Sequence, residues 1–374
     1  MKSQEITYKV ENTINKILIS ENIEKNILKD LNFLKSDKKA LFIYDENINQ
    51  KFIKGILEKI KLSGCSIVVQ KIKGDKKNKT LKNLLKLFDV LLRNKFSKKS
   101  VIISCGGGVV GDMCGLLSSL YLRGTYYFHI PSTMTAIVDS CIGGKTAINY
   151  KGIINSFGNY YHPNRVYISF KILKNLPDRE YYSGFSEILK CGLIKKNNIL
   201  GILLKNSQNI IDREFNILSK LILESLKTKI SFFIDDIKEN NKRLFLNFGH
   251  TFAHALEMAT DKCVKKDFLR HGEAVGVGMM CEILLSSNDI SKKSELIKIC
   301  EKILKKYNLP ISIKLPGNVQ LQNFQNEVYK NIFLDKKRVN KNPRYIFLKN
   351  IGKPKIKEIE NLNSLNDIIY KFIN

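Results

Sequence analysis

Hydrophobic and polar positions along the first half of the chain repeat in a rhythm that two kinds of element explain. The runs Ala40-Leu41-Phe42-Ile43-Tyr44, Ser66-Ile67-Val68-Val69, Val101-Ile102-Ile103-Ser104 and Tyr126-Tyr127-Phe128-His129-Ile130 are short and rich in β-branched and aromatic residues, as expected of buried strands. Between them, the stretches near 48–62 and 80–96 carry the period of an amphipathic helix. Strand and helix in alternation predict a parallel α/β sheet. After Leu176-Pro177-Asp178 the character changes: 212–238, 247–260, 272–288 and 291–306 are helical in period, and strand signals become few. The pattern therefore predicts an α/β domain over 1–178 followed by a mainly α-helical domain over 179–374.

Composition changes this picture little. A length of 374 residues suits two domains or one large one, and 44 % hydrophobic residues suffice for a sizeable core. The net charge of +28 suggests a nucleic-acid partner until its makeup is considered, because only nine of the 63 basic residues are arginine. Lysine, isoleucine and asparagine are all abundant, as AT-rich codons would produce, and no basic stripe is interleaved with aromatic residues. The charge is read as solvated helix faces, with no nucleic-acid partner. Eight cysteines are scattered at 65, 105, 114, 141, 191, 263, 281 and 300 with no Cys-x-x-Cys pair, which reads as reduced thiols in a cytoplasmic protein. The N-terminus has no apolar stretch of signal-peptide type, and no run approaches the roughly 18 apolar residues of a membrane span, so a soluble protein without a membrane partner is expected.

Candidate chemistry begins with the histidines, of which there are five. His250 and His254 lie one helical turn apart in Asn247-Phe248-Gly249-His250-Thr251-Phe252-Ala253-His254, and His271-Gly272-Glu273 follows. The i,i+4 spacing puts two imidazoles on one helix face, where neutral nitrogens can ligate a metal or pass protons to a bound molecule. A solvated or core-satisfied pair would have the same spacing. His271 opens an apolar, glycine-containing stretch and could supply a third nitrogen across a helix pair.

Val101 to Cys105 runs into Gly106-Gly107-Gly108-Val109-Val110-Gly111-Asp112, a G-x-G-x-x-G sequence between a strand and a helical pattern. Glycines there let the backbone approach a pyrophosphate closely, and the helix N-terminus offers N–H groups to anionic oxygens. A tight structural turn is the alternative, since the sequence sits after two earlier strands rather than at the first βα turn. Ile130-Pro131-Ser132-Thr133 then ends a strand on two hydroxyls. Val138-Asp139-Ser140-Cys141-Ile142-Gly143-Gly144-Lys145-Thr146 adds a second glycine pair beside a lysine, a candidate contact for phosphate or carboxylate.

Taken in order, GGGVVGD (106–112), YLRG (121–124), IPST (130–133), VDSCIGGKT (138–146), LPDREYYSGFSEILKCG (176–192), RLFLNFGHTFAHALE (243–257) and HGEAVGVGM (271–279) resemble the pattern of the 3-dehydroquinate synthase family of sugar phosphate cyclases. The resemblance spans roughly residues 40 to 340. It implies a Rossmann-like NAD-binding domain before a mainly helical metal-binding domain. It also implies conversion of 3-deoxy-D-arabino-heptulosonate 7-phosphate (DAHP) to 3-dehydroquinate and phosphate in the shikimate pathway. That reaction runs by transient oxidation with NAD, phosphate elimination, reduction, ring opening and an intramolecular aldol step.

The same resemblance implies the site. Glu187, His250 and His271 correspond to ligands of zinc, with cobalt as the alternative ion. Gly107, Gly108, Val109, Val110, Gly111, Asp112, Ser132 and Thr133, with Lys145, correspond to NAD contacts, and Asp75 and Lys79 are looser counterparts. Lys145 and Asn155 correspond to the phosphate end, with Lys336 of Asp335-Lys336-Lys337 also approaching it and His254 nearby as proton mediator. Lys229, Arg243 and Asn247 correspond to the carboxylate end. Lys190 lines the pocket one helical turn after Glu187, and Asp139 sits near the metal and cofactor. Arg123 corresponds to an arginine that reaches a neighbouring subunit's site, which implies a homodimer.

Three positions depart from the family pattern. Ile153-Ile154-Asn155 stands where the family reads Gly-Lys-Asn, so Ile154 removes a charged anchor that Lys151 could replace only if the loop reshapes. Lys73-Gly74-Asp75 replaces Asp-Gly-Glu with a one-residue insertion before Lys79, and Asp45 stands where an asparagine is common. Alternatives are another cyclase such as 2-deoxy-scyllo-inosose synthase, whose substrate lacks the carboxylate; a metal-dependent polyol dehydrogenase; and a catalytically impaired relative, for which Ile154 is the argument.

Overall fold

Leu41 and Ile43 pack into one hydrophobic core and Ala40 and Phe42 into another, although the four are consecutive on one strand. Side chains alternate across a strand, so a run apolar at every position is buried on both faces. This computed structural model describes all residues except 1, 2, 12, 34–36, 265–267, 287–289 and 335–341. The chain divides into two compact units, Met1–Pro177 and Asp178–Asn374.

The first unit is Rossmann-like. Its strands are β1 (Ser3–Val10), β2 (Thr13–Ser20), β3 (Lys39–Asp45), β4 (Ser66–Ile72), β5 (Val101–Gly106), β6 (Tyr126–Pro131), β7 (Lys145–Tyr150), β8 (Ile153–Tyr160) and β9 (Arg165–Ser169), and its helices are α1 (Ile23–Phe33), α2 (Gln50–Leu62), α3 (Leu81–Arg93), α4 (Gly108–Leu120) and α5 (Phe170–Asn175). Seven described strands form one sheet in the order β1-β2-β9-β6-β5-β3-β4, parallel except for the antiparallel pair β1 and β2. Helices α1 and α2 cover one face through Ile23, Ile27, Ile53 and Ile56. On the other face α3 and α4 contribute Leu84, Leu87, Met113 and Leu117. Truncating such a fully buried aliphatic residue to alanine costs about 2–5 kcal/mol.

The four predicted strands are present as β3 to β6. The edge pair β1 and β2, the strand β9 and the β7–β8 hairpin were not anticipated. Polar residues stud β1, half of which is exposed, and every residue of β8 is exposed, so neither carries a full hydrophobic period.

The second unit is mainly helical: α6 (Asp178–Ser183), α7 (Phe185–Ile194), α8 (Ile199–Lys205), α9 (Ser207–Ile211), α10 (Phe215–Phe233), α11 (His250–Cys263), α12 (His271–Leu285), α13 (Ile290–Lys306), α14 (Leu321–Phe333) and α15 (Leu362–Phe372), with one hairpin of β10 (Arg344–Leu348) and β11 (Pro354–Glu358). Every residue of α7 is buried, Glu187 and Lys190 included. The backbones of α11 and α12 meet at glycines: a Cβ on Gly278 would lie 2.0 Å from the Gly249 carbonyl oxygen, and Gly249 itself has φ +83°. No described helix is long and apolar enough to cross a membrane.

Candidate metal centre and glycine loop

Two charged residues stand in the wholly buried helix α7. Glu187, in its first turn, and Lys190, three residues on, face each other as an ion pair with at most 2 % of either side chain exposed. Such a pair is weak evidence for stability, because both ions are desolvated, and more often marks a functional site. Burial pushes the Glu187 pKa up, but Lys190 and then His271 outweigh it and hold the carboxyl at about 2.

Glu187 Oε1 lies 3.5 Å from His250 Nε2 and 3.4 Å from His271 Nε2. The three ligand atoms fall within 4.8 Å of one another. Both Glu187 oxygens are buried, and among the described residues they face the Lys190 ammonium and the two imidazoles. The imidazoles are aimed from behind. His250 Nδ1 is 3.1 Å from the Phe248 carbonyl, and a carbonyl can only accept, so Nδ1 carries the proton and Nε2 keeps its lone pair. His271 Nδ1 is 3.3 Å from Glu257 Oε2, and a carboxylate can only accept, so Nδ1 carries a proton and Nε2 is the nitrogen aimed at the centre. Two imidazoles and a carboxylate, each oriented by a further group, suit a divalent ion with open positions. His254 stacks edge-on to His250 with ring centroids 5.4 Å apart, so the i,i+4 pair shares one face as predicted.

Of the other predicted residues of the unit, those described lie on α10 and on the turn that precedes α11. A short turn, Lys242–Asn247, leads directly into Phe248-Gly249-His250 and carries Arg243 and Asn247. Asp236 holds that turn by accepting from the backbone N–H groups of Asn240, Asn241 and Arg243 at 2.8, 2.8 and 2.9 Å. The Arg243 guanidinium is buried, donates to the Ile237 carbonyl at 2.7 Å and stacks 5.4 Å from the Phe233 ring of α10. Lys229, one turn earlier on α10, is also buried. Asn247 donates to Glu239 Oε1 at 2.6 Å. Lys336 lies outside the described residues. Glu257 was missed in the sequence, although it falls seven residues after His250 on the same helix.

In the first unit the glycine loop caps α4. A Cβ on Gly106 would come within 2.5 Å of Val110, one on Gly107 within 3.2 Å of Thr133, and one on Gly108 within 3.3 Å of Ser140. The helix start has no side-chain cap, so its first-turn N–H groups are open to an anion. Val109, Gly111 and Asp112 are half-buried, whereas the Val110 side chain is in the core and offers the loop only its backbone. The Ser132 N–H donates to the Gly106 carbonyl at 2.9 Å, and Thr133 Oγ1 accepts from the Ala136 N–H.

Lys79 is buried and its ammonium bridges Asp112 Oδ2 and Asn155 Oδ1, each at 2.5 Å. Asp75 caps the turn before it, accepting from the Asn78 N–H at 2.9 Å. The cation is thus set beside the glycine loop by a short capped turn, despite the inserted residue. Lys145 is exposed at the start of β7, and Asp139 is half-buried in a π-helical turn over Ala136–Ser140. Arg123 is exposed, with φ +61° after Leu122 at +47°. Lys151 occupies the β7–β8 turn with its ammonium 5.7 Å above the Tyr150 ring, and Ile154 is exposed.

Residues 69–183 match the family described as 3-dehydroquinate synthase N-terminal, and residues 184–338 the one described as 3-dehydroquinate synthase C-terminal. The 3-dehydroquinate synthase of Clostridium tetani (strain Massachusetts / E88) is 34 % identical over 342 residues, which covers 91 % of this chain and 86 % of the relative. Among solved structures, a 2-deoxy-scyllo-inosose synthase complexed with carbaglucose-6-phosphate, NAD+ and Co2+ aligns with a TM-score of 0.84 at 21 % identity, covering 99 % of this chain and 100 % of that one. A 2-epi-5-epi-valiolone synthase from Streptomyces hygroscopicus subsp. jinggangensis 5008, with NAD+ and Zn2+ bound, gives 0.81 at 19 %, covering 98 % of each chain. At these identities the structural likeness speaks for the fold.

Proposed function

Because the chain belongs to the 3-dehydroquinate synthase family, we propose that it converts DAHP to 3-dehydroquinate and inorganic phosphate, as a phosphate-eliminating lyase. The convergence of Glu187, His250 and His271 on one point carries the reading. When bound, NAD would accept and return a hydride at one substrate alcohol, and a zinc or cobalt ion would polarise the substrate hydroxyls.

This chain's own residues then divide the work. Glu187, His250 and His271 hold the ion, and Lys190 stands against the carboxylate as a cation for the developing charge. The glycine loop from Gly107 to Asp112, with Ser132, Thr133, Asp75 and Lys79, holds the dinucleotide; its uncapped helix start and glycine cradle support that assignment. Lys145, Asn155 and Lys336 take the phosphate end, Asp139 lies near the cofactor, and His254 passes protons. Lys229, Arg243 and Asn247 take the carboxylate, for which a buried guanidinium fork is a strong partner. Retention of Lys229, Arg243 and Asn247 together favours the keto acid over the substrate of a 2-deoxy-scyllo-inosose synthase, which lacks the carboxylate.

We read the protein as a cytoplasmic homodimer. Eight free cysteines support a reducing compartment. Exposed Ile153, Ile154, Phe157 and Tyr160 on β8, and exposed Leu120 and Leu122 beside Arg123, support a partner surface in the first unit. Purified protein incubated with DAHP, catalytic NAD and zinc should release phosphate without net NADH, and a chelator should abolish this. Steady NADH accumulation would assign a dehydrogenase, and silence with zinc restored an impaired relative.

A further inference from the structure

His129 stands in β6 with 2 % of its surface exposed, and no role assigned above uses it. Its Nδ1 is 2.7 Å from Ser104 Oγ, Ser104 Oγ is 3.0 Å from Tyr127 Oη, and Tyr127 Oη donates to the Gly111 carbonyl at 2.9 Å. The direction of this chain follows from its end. A carbonyl only accepts, so the Tyr127 proton is committed to Gly111. Ser104 therefore gives its proton to Tyr127, the Phe128 carbonyl at 3.5 Å being too long to compete. The contact between Ser104 and His129 is left to the ring's own Nδ1–H.

Nε2 then keeps a lone pair, and it has no hydrogen-bond partner among the described residues. Burial drives the His129 pKa down to about 3, so the ring is neutral in this arrangement. The ring also floors the loop: a Cβ on Gly111 would lie 3.0 Å from both Cε1 and Nε2. The Gly111 N–H, meanwhile, donates to the Gly107 carbonyl at 3.0 Å. The first turn of α4 is thus held from below by the imidazole and from its carbonyl side by the directed chain. His129 also borders a small chamber shared with Asp112, Ser140 and Lys145, of which Asp112 and Lys145 are assigned above to cofactor and substrate.

We propose that His129 is a positioning residue for the glycine loop, a neutral Nδ1–H imidazole that fixes the first turn of α4 in the shape that receives the dinucleotide's phosphates. This rests on the dinucleotide reading of that loop. Three variants test it in the full-length protein. His129→Gln keeps one donor and one acceptor, His129→Leu keeps bulk but no donor, and Ser104→Ala cuts the chain without touching the ring. His129→Leu and Ser104→Ala should raise amide hydrogen exchange over 108–113 and the NAD dissociation constant about ten-fold each, with kcat at saturating NAD within about two-fold, while His129→Gln stays near the parent in both.

Nitrogen-15 spectra of the five histidines, with the His129 signal identified by its loss in His129→Gln, should show the Nδ1–H tautomer and no titration between about pH 5 and 9. A titrating ring, an Nε2–H tautomer or unchanged exchange in both disrupting variants overturns the proposal. So does an equal loss of NAD affinity in His129→Gln and His129→Leu. If His129→Leu fails to fold, Ser104→Ala decides. If the parent does not bind NAD, the dinucleotide reading fails and takes the positioning role with it, an outcome told apart by the parent titration alone.

Discussion

Glu257 Oε2 stands 3.3 Å from Nδ1 of His271, while Nε2 of the same ring faces Glu187 Oε1 at 3.4 Å. One imidazole is thus gripped by a carboxylate at each nitrogen. Burial alone would depress the His271 pKa, but Glu257 and then Glu187 outweigh it and raise it to about 10. Replacing Glu257 with Gln keeps the shape and removes the charge that orients the ring. Partners of this kind are worth about 10–100-fold in metal affinity, so Glu257→Gln should weaken zinc binding by that factor in competition with a chelator dye. Excess zinc should restore most of the turnover; a variant with parental zinc affinity would refute the orienting role.

Asp236 offers a pH-dependent test. Burial would raise its pKa, but the backbone donors of Arg243, Asn240 and Asn241 together outweigh it and hold the carboxyl below its ordinary value. A depressed native pKa stabilises the fold above the unfolded value, and that stabilisation is lost as pH falls through the native one. Urea denaturation should therefore show parental stability dropping below about pH 4, with Asp236→Asn lower by about 1–2 kcal/mol at pH 7 and flatter on the acid side. Because the turn carries Arg243, the variant's KM for DAHP should rise more than its kcat falls.

The Lys151 ammonium lies 5.7 Å above the Tyr150 ring at the hairpin turn, which argues against its standing in for the missing family lysine. Ile154→Lys should therefore raise turnover or tighten NAD or substrate binding, measured by steady-state kinetics and NAD titration. An unchanged enzyme would mean the position is dispensable in this chain.

Lys79 joins Asp112 to Asn155 through a buried ammonium. Lys79→Met removes two charge-assisted bonds and leaves Asp112 without that counter-ion. At about 1.5–3 kcal/mol for a bond to a charged group, NAD binding followed by fluorescence should weaken by about ten- to one hundred-fold. Parental affinity would place the dinucleotide away from this bridge.

The parts of this protein legible in sequence are those with a local signal. Continuous apolar runs marked β3 to β6 because both faces of the sheet are covered, and scarce, clustered histidines marked two ligands of the centre. Glu187 carried no such signal: a glutamate in the first turn of a helix is ordinarily a favourable surface charge, and only the tertiary burial of α7 makes it otherwise. It was reached through the family resemblance alone. Glu257 had a usable signal, two helical turns beyond His250, but a glutamate on a helix is too common to single out unaided. The β7–β8 hairpin, exposed throughout β8, has no core-facing period to read. Val110 was grouped with the loop by position, whereas its side chain belongs to the core.

The close crossing at Gly249 and Gly278 sets how far apart the two nitrogen donors can be, and it does so through main-chain atoms that take no part in any reaction. An engineer could exchange the imidazoles for thiolates and still inherit that separation. Adding a single methyl group at Gly278 would instead push one scaffold rod off the other and shift every donor on it together.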